Sequence, residues 1–156
     1  METLLKVKEL LESYLSNKLK LEDFKKKIDS LNKRNPYWGF RGINGQMFFN
    51  MLYRSSNNRE ELNKVLKNTT KIPQNINDIK TKINLLIDYI KSLPQEKDKR
   101  KSPKLKSVLY FLSYFWQIQD PVKYPIFYTS LEQTLIELSF LEQQEDLADY
   151  YKSFFE

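Results

Sequence analysis

Apolar side chains recur along this chain at intervals of three and four residues. Leu4, Leu5, Val7, Leu10, Leu11, Tyr14 and Leu15 form one such series, and Leu21, Phe24, Ile28 and Leu31 in "LEDFKKKIDSL" form the next. Spacing of this kind lines up apolar groups on one face of an α-helix, so two amphipathic helices open the chain. Asn44 is placed to cap a helix through "GQMFFNMLYR", and Asn58 with Glu61 makes a capping box for "REELNKVLKN", which Pro73 stops. "NDIKTKINLLIDYIKSL" then sets Ile79, Ile83, Leu86, Ile87 and Ile90 on one face, starts at an Asn or Asp cap and ends before Pro94.

"KLKSVLYFLSYFWQIQ", residues 104–119, breaks this amphipathic habit. Val108, Leu109, Phe111, Leu112, Phe115 and Trp116 leave little polar surface, which is the pattern of a helix in the middle of a bundle. Tyr110, Phe111, Tyr114, Phe115 and Trp116 are accordingly expected in the core, because an exposed aromatic patch of that size invites aggregation. "DPVKYP" ends the segment, Thr129 with Glu132 caps "SLEQTLIELSFL", and "QEDLADYYKSFFE" runs to the chain end. Period-two β patterning is hard to find, although "YPIFYTSL" suits a short extended piece. The pattern predicts an all-α fold: a single-domain bundle of seven or eight helices around a central apolar helix near residues 104–119. An amphipathic helix ending at Glu156 without cap or tail reads as the end of an N-terminal fragment of a longer protein.

The composition narrows the chemistry more than the fold. A chain of 156 residues, 40% hydrophobic, is long enough to bury one core and too apolar for disorder. It has no cysteine and no histidine, which removes thiol nucleophiles, disulfides, imidazole bases and the common zinc ligand sets. The Tyr, Lys, Asp, Glu and Ser that remain form no recognisable catalytic set, so no enzyme activity is expected of this segment. No apolar run approaches the ~20 residues needed to span a bilayer, which points to a cytoplasmic protein without a membrane partner.

Charge is distributed unevenly. The net charge is +6, yet residues 132–156 hold seven acids against Lys152, a net of −6 that leaves +12 on residues 1–131. "PQEKDKRKSPK", residues 94–104, has no apolar side chain and is expected to be a solvated, mobile loop. Residues 97–106 carry six positive side chains against one acid, a run suited to phosphate contact.

All three glycines fall between residues 39 and 45, at Gly39, Gly42 and Gly45. The spacing G-x-x-G-x-x-G matches neither the dinucleotide fingerprint nor the P-loop, so no nucleotide cofactor is expected from it. What remains is a tight loop feeding a helix N-terminus, where free N–H groups attract anions and Arg41 lies close by. Trp38 and Phe40 are expected first to plug the core beneath that corner and second to stack on an exposed base.

Two segments, "YWGFRGINGQMFFNMLYR" and "KSVLYFLSYFWQIQDPVKYPIFYTSL", resemble the N-terminal specificity region of McrB-type AAA+ restriction subunits and related prokaryotic defence ATPases. The resemblance implies a region that recognises target DNA ahead of a nucleotide-hydrolysing motor, which would lie beyond residue 156. Taken with the charge pattern, it gives as leading expectation a non-catalytic DNA-binding or target-sensing module. Its partners would be DNA, including DNA with modified bases, and other subunits of a defence complex. Arg41, Lys99, Arg100, Lys101, Lys104 and Lys106 are the phosphate candidates, with Trp38 and Phe40 for a base or groove edge. The rival expectation is a protein-interaction or assembly module, in which the acidic C-terminal helices dock another subunit.

Overall fold

A helix that is apolar on every side must be covered on every side, and the arrangement of the other helices follows from that requirement. The structure, a computed structural model, describes residues 2–34, 40, 42–94 and 101–123. In chain order the helices are α1 (Glu2–Leu15), α2 (Leu21–Arg34), α3 (Phe48–Ser55), α4 (Arg59–Thr70), α5 (Ile76–Ser92) and α6 (Val108–Gln119). A π-helical turn, Ile43–Met47, leads into α3, and a 3-10 turn, Leu105–Ser107, leads into α6. There is no strand among the described residues, which form one all-α bundle. The helices expected after residue 129 lie outside the described residues.

The hairpins α1/α2 and α4/α5 and the π-turn enclose α6. Every residue of α6 from Val108 to Trp116 is buried. In one core with it lie Val7, Leu11 and Tyr14 of α1, Phe24 and Ile28 of α2, Leu62 and Leu66 of α4, and Ile79, Ile83 and Leu86 of α5. Leu5, expected on the buried face of α1, is 62% exposed. Its position is one residue off the stripe defined by Val7, Leu11 and Tyr14, so the helix turns it to solvent.

Helix ends are satisfied partly by local and partly by distant groups. Asn58 Oδ1 accepts from the Glu61 amide, as the sequence leads one to expect. Asn75 Oδ1 accepts from the Asp78 amide, so the cap of α5 lies two residues before the Asn77 or Asp78 that the sequence pattern put there. Asn17 takes a left-handed backbone, φ 67°, and lets Lys18 N donate back to Ser13 O, which closes α1. At the end of α4, three successive carbonyls are taken by side chains from other helices. Lys82 Nζ donates to Asn68 O, Trp116 Nε1 to Thr69 O at 2.9 Å, and Gln119 Nε2 to Thr70 O at 2.7 Å. Those carbonyls have no partner within α4, so the long-range bonds tie α4 to α5 and α6. Burial holds the Lys82 ammonium below the ordinary lysine range, with Lys71 acting in the same direction and Asp78 opposing it.

Tyr14 shows how the core responds to pH. Its ring stacks on Phe24 at a centroid distance of 4.4 Å, and its hydroxyl donates to Asn63 Oδ1 at 2.8 Å. Burial, reinforced by the negative charge of Glu22, pushes the phenol above the ordinary tyrosine range, and burial does the same for Tyr89. An unfolded tyrosine ionises near pH 10, whereas the folded one keeps its proton. Above pH 10 the native state therefore binds more protons, and stability falls with rising pH by up to about 1.4 kcal/mol per unit for each such group. Chemical denaturation at pH 9 to 11.5 should show this fall, and Tyr14→Phe should make it shallower. An equally steep fall in the variant would contradict the assignment to Tyr14.

Candidate functional site

The glycine corner and the basic loop, far apart in sequence, meet in the structure. Asn44 does not cap a helix. It sits inside the π-turn, and its Oδ1 accepts from Ser107 Oγ at 2.8 Å, 63 residues away. The turn starts one residue before the expected cap because Gly42 adopts φ 131°, ψ −165°, a conformation open in practice to glycine alone. Met47 N then reaches back to Gly42 O at 2.9 Å, and Gln46 N reaches Phe40 O at 2.7 Å. Gly45 is needed for a different reason: a Cβ there would lie 2.0 Å from Phe40 O.

Phe40 is fully buried. Its ring meets Tyr114 at 5.3 Å and Phe115 at 5.5 Å, both edge-on, and Phe111 at 5.9 Å. The inward reading of this residue therefore holds, and its second expected role is corrected: a ring enclosed by α3 and α6 has no face left for a base. Trp38, Arg41, Lys99 and Arg100 lie outside the described residues.

Lys101, Lys104 and Lys106 are exposed, but the backbone that carries them is not loose. Arg54 Nη2 donates to Lys101 O at 3.1 Å, Pro103 is buried, and the Asn44–Ser107 bond fixes the next turn. Over residues 101–104, the described end of the 94–104 stretch, the expectation of a free, solvated loop is thus corrected to an anchored one. Arg54, which the sequence pattern did not single out, joins the three lysines on this flank. Nothing in "FFNMLYR" announces it, because its partner is a backbone carbonyl 47 residues away.

The two segments that meet here share a composition. From Ser30 to Asn58 and from Lys99 to Gln119 there is no carboxylate side chain, while Lys33, Arg34, Arg41, Arg54, Lys99, Arg100, Lys101, Lys104 and Lys106 are positive. Where Asn44 meets Ser107 and Arg54 meets Lys101, folding places described parts of these stretches, with Arg54, Lys101, Lys104 and Lys106, beside each other. Their fields add and raise the local concentration of anions.

On the α2 side of the π-turn lies a second polar feature. Lys25 is buried, with its ammonium 5.1 Å from the centroid of Phe49 and 5.7 Å from that of Tyr53. It donates to Asp29 Oδ2 at 2.6 Å and to Asn50 Oδ1 at 2.7 Å. An ammonium only donates, so the orientation of every later amide is forced. Asn50 must present oxygen to Lys25; Gln46 must present nitrogen to Asp29 Oδ1 and to Asn50 Oδ1; and Asn32 must then donate to Gln46 Oε1, at 2.7 Å. The chain of donors ends on Asn32 Oδ1, an acceptor that is buried and without a partner among the described residues. Leaving it so costs about 1–3 kcal/mol. Asp29, Asn32, Lys33, Gln46 and Asn50 line a cavity of about 330 Å³ beside it.

Comparison with protein-family models, with curated proteins and with solved structures finds no match to this chain. No helix among the described residues is long and apolar enough to cross a membrane.

Proposed function

We propose that this chain is a non-catalytic, cytoplasmic DNA-binding module that serves target sensing in a prokaryotic restriction or defence protein. The observation that carries the reading is the anchoring of Lys101, Lys104 and Lys106 beside Arg54, within two carboxylate-free segments that fold against each other. Phosphate recognition needs positive side chains at fixed spacing, and rigid backbone beneath flexible lysine stems supplies it at low entropic cost. The resemblance of the same two segments to McrB-type specificity regions supports the DNA class of partner. Contacts of this kind position a module on a duplex without specifying sequence, which leaves specificity to groups that reach the bases.

The test is the triple variant Lys101→Ala, Lys104→Ala, Lys106→Ala. Its affinity should fall to a similar degree for unrelated DNA sequences. The slope of log affinity against log salt should shrink by about 0.9 for each lysine that neutralises a phosphate. Circular dichroism should be unchanged, since all three side chains are exposed. An unaltered affinity and salt slope would overturn the assignment of this face.

A further inference from the structure

We infer that the basic face has an occupant within the chain itself: the acidic stretch 142–149 docks on Arg54, Lys101, Lys104 and Lys106 and competes there with DNA. The competition rests on the DNA reading, whereas the contact does not. Lys101, Lys104 and Lys106 are exposed and have no ion-pair partner among the described residues, and the two stretches that build the face hold no carboxylate. The counter-charge lies elsewhere in the sequence. Residues 132–156 carry a net −6 against +12 on residues 1–131, and four of their seven acids crowd into residues 142–149. Glu142, Glu145, Asp146 and Asp149 are spaced to share one face of a helix, while Leu147, Tyr150, Tyr151 and Phe154 are spaced to share another. Four acids thus stand against the four cations of the face.

The segment lies outside the described residues, and what brings it to this face is charge and reach. The basic residues sit at the start of α6, and the last described residue, Lys123, follows its end. A helix of 12 residues is about 18 Å long, so the segment must return by roughly that distance. Residues 124–141 span up to about 60 Å if extended and still about 27 Å if wound entirely as helix. Each exposed ion pair contributes little, so several must form together, and tethering favours that because it gives the acids a high effective concentration at the face. Such a contact is reversible. A polyanion that meets the same cations displaces it, and DNA binding then frees an acidic, aromatic segment.

The experiment is zero-length carbodiimide coupling of the 156-residue chain, which joins a carboxylate to an amine it already touches. Mass spectrometry of an equal mixture of unlabelled and heavy-nitrogen protein separates bonds within a chain from bonds between chains. Glu142, Glu145, Asp146 and Asp149 should couple to Lys101, Lys104 and Lys106 severalfold more than to Lys64 or Lys91, which are exposed on α4 and α5, and should do so within one chain. Raising salt from 0.1 to 1 M shortens the Debye length from about 10 to about 3 Å and should suppress the preference. A short DNA duplex should lower the yield. Coupling that is selective without DNA and unchanged by it would uphold the docking and count against the DNA reading. Coupling spread evenly over the exposed lysines, or found only between differently labelled chains, would overturn the proposal, the second result making another copy the occupant.

Discussion

Gly45→Ala is expected to destabilise the fold by more than about 3 kcal/mol, an unusual cost for one added methyl group. The methyl carbon would lie 2.0 Å from Phe40 O, 2.8 Å from Phe40 C and 2.9 Å from Phe40 Cδ2. Two of those atoms are backbone and cannot swing away. Moving the Phe40 carbonyl would break its bond from Gln46 N and withdraw the Phe40 ring from Phe111, Tyr114 and Phe115. Gly42→Ala makes the informative comparison, because no atom lies within 4 Å of its would-be Cβ and only its φ of 131° forbids a side chain. Backbone strain of that kind costs about 1–3 kcal/mol. Urea unfolding of the two variants should rank Gly45→Ala as the more damaging, and a loss below about 1 kcal/mol for it would contradict the close approach.

Trp116→Ala should be at least as severe. Trp116 is fully buried in α6, and large-to-small truncation of a core aromatic costs about 3–5 kcal/mol. Its indole also donates to Thr69 O at 2.9 Å, one of the carbonyls that α4 leaves unpaired at its C-terminus. Truncation strands that carbonyl for a further ~1–3 kcal/mol. Domains of this size are stable by about 5–15 kcal/mol, so the variant should sit near its unfolding threshold at room temperature. Trp116→Phe keeps much of the packing and loses the hydrogen bond, so it should fall between wild type and alanine. Thermal unfolding followed by circular dichroism measures all three, and a loss under about 2 kcal/mol for alanine would contradict the central place of α6.

The helices themselves were legible because their information is local. Leu62 and Leu66, or Ile79, Ile83 and Leu86, announce a buried face by spacing alone, and Asn58 announces its cap by standing three residues before the amide it accepts from. The central place of α6 was legible from its lack of a polar side. The site was not, because its determinants are tertiary. Asn44 has the chemistry of a cap, but Ser107 engages it instead. Arg54 and Lys25 look like ordinary solvated charges until Lys101 O comes to one and the rings of Phe49 and Tyr53 enclose the other. In "KKKIDSLNK" the residues Lys25, Asp29 and Asn32 recur at helical spacing, and only the arrival of Gln46 and Asn50 from the π-turn and α3 turns that polar face into a network.

The glycine corner thus has two consequences that bear on function. It drives Phe40 into the core, which fixes the π-turn, and through Asn44 it holds the segment that carries Lys104 and Lys106. The most direct test of the DNA-binding account is fluorescence anisotropy of the chain with short single- and double-stranded DNA, with and without methylated cytosine, at two salt concentrations. The account predicts binding at low salt that weakens steeply as salt rises, with a methylation preference as the signature of target sensing. No binding even at low salt would contradict it, and self-association under the same conditions, seen by sedimentation, would identify the chain as an assembly module instead.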